Sequence, residues 1–171
     1  MRYKHLLWDF DGTLYDSYPQ ILHAMKQTLR SYSLPLPSDI DLLRETKVLV
    51  SRALSIYGGG LPQEELTERF QSFHHAISSF PLYEGTAECL QTLHAAGVRH
   101  YLYTHRSLTA QKQLEQDGLW PLFTDLVTSE DGFALKPAPD ALLALVERNG
   151  LNTSECAMIG DREIDVQSGY N

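Results

Sequence analysis

Trp8-Asp9-Phe10-Asp11-Gly12-Thr13-Leu14 is the stretch on which the reading of this chain turns. An apolar run, Leu6-Leu7-Trp8, stops there in two carboxylates separated by one residue. Side chains alternate on an extended chain, so Asp9 and Asp11 leave the strand end on the same side, and Gly12 lets the backbone turn at once. That geometry suits a metal-binding carboxylate beside a proton-transferring one. Asp-x-Asp-Gly is also an ordinary turn sequence, so its meaning depends on what stands at the ends of the other strands.

Outward from this stretch, residues 4 to 9 read as a buried strand, and the pattern then keeps helical periods for about seventy residues, too long for a connection. An inserted helical domain over 16–80 is predicted. Its stripes are Leu22, Met25 and Leu29 in a first helix, Leu49, Ala53 and Ile56 in a second, and Leu66, Phe70, Phe73 and Ile77 in a third. Leu34-Pro35-Leu36-Pro37 and Gly58-Gly59-Gly60-Leu61-Pro62 punctuate them, with Asp16 and Ser38 as N-caps. From Pro81 the pattern alternates. A helix from about 86 is closed by Gly97, a strand covers 99–103, a helix from 108 is closed by Gly118, and a strand follows near 125–128. Pro139 opens a helix that Gly150 ends, and 156–159 form a last strand. The predicted fold is α/β: a Rossmann-like, mostly parallel sheet with helices on both faces, formed by 1–15 and 81–171, plus an α-helical cap bundle at 16–80.

Composition bounds the function. With 171 residues, 43% hydrophobic and 21% charged, the chain can bury a core, and the net charge of −8 argues against a nucleic-acid or anionic-membrane surface. An anionic substrate must therefore meet locally concentrated positive charge. Cys89 and Cys156 have no metal-ligand or redox spacing and are expected as buried thiols, in keeping with a cytoplasmic protein. No apolar stretch long enough for a signal peptide or membrane span is seen.

At the carboxyl ends of the predicted strands stand Asp9 and Asp11, then Thr104, then Lys136, then Asp161 and Asp165. Thr104 to Lys136 is 32 positions and Lys136 to Asp161 is 25, whereas Asp9 to Thr104 is 95. The surplus over a strand-helix unit, about 65 residues, matches the insert. Each residue alone has a dull explanation, Thr104 as a helix cap, Lys136 as surface charge, Asp161 and Asp165 as turn residues. Together they supply carboxylates for a hard octahedral cation, a hydroxyl and an ammonium for phosphate oxygens, and one carboxylate to attack phosphorus.

These stretches resemble the ordered motifs of the haloacid dehalogenase superfamily: Asp9-Phe10-Asp11-Gly12-Thr13, Thr104, Lys136-Pro137, and Gly160-Asp161-Arg162-Glu163-Ile164-Asp165. The insert after the first motif is similar to that of phosphoglycolate phosphatases and beta-phosphoglucomutases. The resemblance implies Asp9 as nucleophile, Asp11 as general acid and base, Thr104 and Lys136 as phosphate ligands, and Mg2+ as cofactor. The metal set would be Asp9, Asp11 through its carbonyl, Asp161, and Asp165 through water, with the amides of Gly12 and Thr13 on the phosphate. The family usually continues for another strand beyond the last motif, so a further C-terminal strand is expected past Asn171.

The expected activity is a magnesium-dependent phosphatase acting on a small phosphorylated metabolite through an aspartyl-phosphate intermediate, with phosphomutase as the alternative. A non-enzymatic phospho-aspartate receiver fits less well, since its acceptor acid lies mid-chain without a cap. His105 and Arg106 stand beside the phosphate loop as substrate-binding candidates. Arg44 and Lys47, with Tyr15, Tyr18 and His23, are weaker candidates from the cap, and His74-His75 reads as solvated helix surface.

Overall fold

The computed structural model describes residues 2–77 and 79–171. The chain forms two compact units: one ends at Asp16 and resumes over Pro81–Asn171, the other is Ser17–Phe80. In the first, β1 (His5–Trp8), β2 (Arg99–Tyr103), β3 (Phe123–Val127) and β4 (Cys156–Ile159) make a four-stranded, all-parallel sheet in the order β3-β2-β1-β4. Leu7 lies opposite Tyr101 on one side and Met158 on the other, and Trp8 opposite Leu102 and Ile159. All four strands therefore end on the same edge, and β1, which carries the first motif, is central.

Period-two alternation sends the two sets of side chains to opposite faces. On one face Leu7, Tyr101, Tyr103 and Val127 pack against Ala141, Leu142 and Leu145 of a helix at Asp140–Arg148. On the other, His100 lies under a helix at Thr86–Ala95. Its Nδ1 accepts from Trp8 Nε1 at 3.0 Å and its Nε2 bonds the Leu90 carbonyl at 3.1 Å. An imidazole so held is neutral, and burial lowers its pKa. Further helices at Thr109–Gln116 and Glu163–Tyr170 complete the unit.

The second unit is built on apolar periodicity. In α1 (Tyr18–Ser31) the buried positions Ile21, Ala24, Met25, Thr28 and Leu29 repeat at three and four residues, and Thr28 is tolerated there because its hydroxyl donates to the Ala24 carbonyl at 2.9 Å. They meet Leu42 from α2 (Asp39–Val48), Ala53 and Leu54 from α3 (Val50–Tyr57), and Leu66 and Phe70 from α4 (Gln63–His75). Four helices thus replace the expected three. The boundary missed is Leu49, which adopts extended backbone (φ −158°, ψ 139°), ends α2 and begins α3. Ile56, expected on the stripe, is half exposed. Ser38 caps α2 by accepting the Asp41 N–H at 3.2 Å, whereas the N-cap position of α1 is Ser17, not Asp16, and makes no side-chain capping bond. The thiols also differ from expectation: Cys89 is exposed and Cys156 only part-buried. Among the described residues the α/β unit carries the α-helices α5 (Thr86–Ala95), α6 (Thr109–Gln116), α7 (Asp140–Arg148) and α8 (Glu163–Tyr170). Among the described residues no helix is long and apolar enough to cross a membrane.

Candidate active site

Asp9 follows β1 directly. Its amide donates to the Ile159 carbonyl at 2.8 Å, so the ladder with β4 continues one residue past the strand and fixes where the carboxylate emerges. Phe10 points into the core, fully buried and stacked on Tyr15 with ring centroids 4.3 Å apart. Its carbonyl accepts from the amides of Leu14 and Tyr15, both at 3.1 Å, and Gly12 makes this tight loop possible at φ +78°. Tyr15 then pins the loop from outside, donating to Asp117 Oδ2 at 2.7 Å.

Lys136 lies just before a cis peptide bond to Pro137, with its side chain wholly buried. Its Nζ is 2.7 Å from Asp9 Oδ1, 2.8 Å from Asp165 Oδ1 and 2.9 Å from the Tyr103 carbonyl. A surface lysine is thereby excluded. Asp165 is fully buried in the first turn of α8, and its Oδ2 accepts the Arg162 amide at 3.0 Å. Gly160 is what admits it: a β-carbon at 160 would overlap Cβ and Cγ of Asp165. Asp161, exposed, joins them, and Asp9, Asp161 and Asp165 each offer an oxygen within 4.8 Å of the others.

Thr104 is buried at the end of β2, its amide bonded to the Val127 carbonyl and its hydroxyl accepting the Arg106 amide at 3.1 Å. His105 turns toward Lys136 and accepts that residue's amide at Nε2, 2.9 Å away. Burial, then the positive charges of Lys136 and Arg162, pull its pKa down to about 3, so the ring is neutral. The Asp11 carboxylate, by contrast, is gripped by Arg106. The Thr13 hydroxyl is buried without a hydrogen-bond partner. Arg44 and Lys47 belong to α2 in the helical unit, where Arg44 pairs with Asp41 at 3.1 Å and Glu45 at 3.2 Å, and Lys47 Nζ lies 4.5 Å from the Tyr18 ring centroid.

Two contributors were not singled out from sequence. Arg162 Nη2 lies 3.4 Å from Asp9 Oδ2 and Arg162 Nε 3.6 Å from Asp165 Oδ2, and Gly160 provides the space just described. A basic residue placed between the two acids of the last motif was the available signal for Arg162. Electrostatically the cluster is short of positive charge. Burial pushes the Asp9 carboxyl above its ordinary value, with Lys136 and Arg162 pulling against it and Asp165 and Asp11 adding to it. The Asp165 Oδ1 atom is buried and, although beside Lys136, makes no hydrogen bond of good geometry. Converging carboxylates with an unsatisfied oxygen fit a small, hard divalent cation.

Comparison with known proteins identifies the family. The sequence profile of the haloacid dehalogenase-like hydrolases matches residues 6–171. A phosphoglycolate phosphatase of Vibrio parahaemolyticus is 31% identical over 184 aligned residues, spanning 98% of this chain and 79% of that protein. An N-acetylmuramic acid 6-phosphate phosphatase of Pseudomonas aeruginosa is 30% identical over 180, spanning 99% and 78%. The crystal structure of a hydrolase from Streptococcus pneumoniae superposes with a TM-score of 0.69 at 30% identity, covering 99% of this chain and 89% of that one. With its parallel sheet and its acids and lysine gathered at the strand ends, the chain belongs to the haloacid dehalogenase-like hydrolases, as an enzyme of their phosphatase branch.

Proposed function

We propose that this protein is a magnesium-dependent phosphatase that hydrolyses a small phosphorylated metabolite through an aspartyl-phosphate on Asp9. The observation that carries the reading is the environment of Asp9: a buried carboxylate on a fixed loop, one oxygen on Lys136 and the other near Arg162, with Asp161 and Asp165 beside it. A surface turn would have no reason to bury a lysine with two acids, since each unpaired charge there costs several kcal/mol.

In this reading Asp9 attacks phosphorus and forms an acyl phosphate, while the ester oxygen leaves with a proton from Asp11. Asp11 then takes a proton from water, which attacks the acyl phosphate and releases inorganic phosphate and the Asp9 carboxylate. Lys136 offsets the charge of Asp9 and of the phosphoryl oxygens, and Thr104 and the Thr13 hydroxyl supply further polar contacts to them. Asp9, Asp161 and Asp165, with the Asp11 carbonyl, would hold Mg2+, which when bound neutralises the phosphate and the acids facing it. The choice of substrate is assigned to the 16–80 insert through Arg44 and Lys47, with His105 near the phosphate; the Gly12 amide, expected there too, instead donates to the Tyr15 carbonyl at 2.9 Å and closes the loop. The relatives are named as phosphatases of phosphoglycolate and of N-acetylmuramic acid 6-phosphate, which supports a small phosphorylated metabolite as the substrate class.

The test is phosphate release from a panel of phosphorylated metabolites, with and without exhaustive chelation. At least one ester should turn over, with activity abolished by chelation and restored by Mg2+. Full activity without a divalent cation, or an isomerised ester in place of free phosphate, would overturn the reading.

A further inference from the structure

Arg106 was a candidate for the substrate phosphate, but its guanidinium is already committed. Nε donates to both oxygens of Asp11, at 2.8 and 2.9 Å, and Nη2 lies 2.7 Å from Oδ1. Both side chains are largely withdrawn from solvent, 7% exposed for Arg106 and 16% for Asp11. The guanidinium carbon sits 5.2 Å from the centroid of the Phe10 ring, the residue between the two strand-end aspartates. The backbone of Arg106 is fixed as well: its amide donates to Thr104 Oγ1 at 3.1 Å and its carbonyl accepts the Ser129 amide at 2.9 Å.

A planar fork on a carboxylate fixes direction as well as distance, which a single ammonium does not. Asp11 has two side-chain torsions, and its charge and that of Asp9 repel one another. Without a fixed cation its carboxylate would spread over several rotamers. The guanidinium lies against the Phe10 ring and holds the carboxylate at its N–H edge, and its backbone is tied through the Thr104 hydroxyl to the end of β2. Chain separation makes this costly to produce by chance, since Arg106 and Asp11 are 95 residues apart.

We infer that Arg106 is a positioning residue, not a phosphate ligand: its fork sets the orientation of the Asp11 carboxyl, and Thr104 sets Arg106. The inference rests on the acid-base role given to Asp11 under the proposed function. A phosphate ligand would be felt in substrate binding, whereas a residue acting through Asp11 is felt in turnover and has nothing left to act on once Asp11 is gone.

The experiment is a double-mutant cycle on the full chain with Mg2+, using the best ester of the panel, with thermal melting as a check on folding. Arg106→Ala should lower kcat about tenfold or more with KM within about twofold, and Arg106→Lys, which keeps the charge but not the fork, should fall between it and the wild type. On an Asp11→Asn background, whose own loss is roughly 10²–10⁴, Arg106→Ala should add less than about threefold. If Arg106→Ala does not fold, the Arg106→Lys arm of the same cycle decides. A raised KM at unchanged kcat, or losses that multiply in the double variant, would overturn the inference and leave the proposed function standing. An Asp11→Asn enzyme with undiminished turnover would instead sink the acid-base role itself.

Discussion

Both units bury apolar side chains, but only one of them also buries a cluster of charges. The helical unit hides Met25, Leu42, Leu54 and Leu66 and keeps its charges outside in pairs, such as Arg52 with Glu45 at 2.8 Å. The α/β unit hides Asp9, Lys136 and Asp165 at the ends of its strands, each at most 2% exposed. Apolar burial is favourable by itself, at about 1.5–3 kcal/mol per large side chain. Buried charges are not, and are tolerated only while every partner is present. The helical unit is therefore organised for stability, and the α/β unit holds in addition a cluster whose arrangement stability alone does not explain.

The sharpest way to break this contrast is Asp9→Asn. An amide cannot form an acyl phosphate, so turnover should vanish while the fold persists, because one anion is removed from a cluster rich in them. Rapid quench followed by mass spectrometry should place the phosphoryl group on Asp9 in the wild type and nowhere in the variant. Near-normal turnover would end the assignment.

Next in size are two truncations, one in each unit. Lys136→Met leaves Asp9 and Asp165 without their shared ammonium, and a broken buried pair costs about 3–5 kcal/mol. Leu54→Ala removes an apolar side chain that is fully buried in the helical core, at about 2–5 kcal/mol. The costs are similar and their origins differ. Bound Mg2+ should recover part of the first loss and none of the second, as read by denaturant titration with and without the metal. Equal recovery in both variants would mean that the charged cluster is not where the cation acts.

Much of this contrast was readable in the chain, and the parts that were not have physical causes. Asp9, Thr104, Lys136, Asp161 and Asp165 each follow a strand whose apolar run is visible, so their common edge followed from topology. The α2–α3 break was hidden because Val48-Leu49-Val50 contains neither Gly nor Pro, and only the backbone angles of Leu49 reveal it. Cys89 precedes Leu90 on α5. The inward residue is Leu90, which leaves the thiol outside, a matter of helix rotation that a short stripe does not determine. The grip of Arg106 on Asp11 and the approach of Arg162 to Asp9 join residues 95 and 153 positions apart, and composition and period carry no record of such pairs.

The smallest expected effect tests the electrostatics of the site from a neutral group. His105 accepts the Lys136 amide through Nε2, which requires an unprotonated nitrogen. Burial, Lys136 and Arg162 hold its pKa near 3, against the smaller opposing pulls of Asp165 and Asp11. In the unfolded chain the same ring titrates at about 6.5. As pH falls through that value the unfolded state takes up a proton that the folded state refuses, so stability drops toward acid and continues to drop until the folded pKa is reached. Between pH 7 and 6 the loss from this one ring is about 0.7 kcal/mol. His105→Asn can still accept the amide bond through its side-chain oxygen but cannot titrate. Its stability should therefore depend less steeply on pH than the wild type's, by that amount over the same interval. Denaturant midpoints of both proteins at the two pH values measure the difference, and parallel pH dependences would show that His105 is not held neutral by the cations around it.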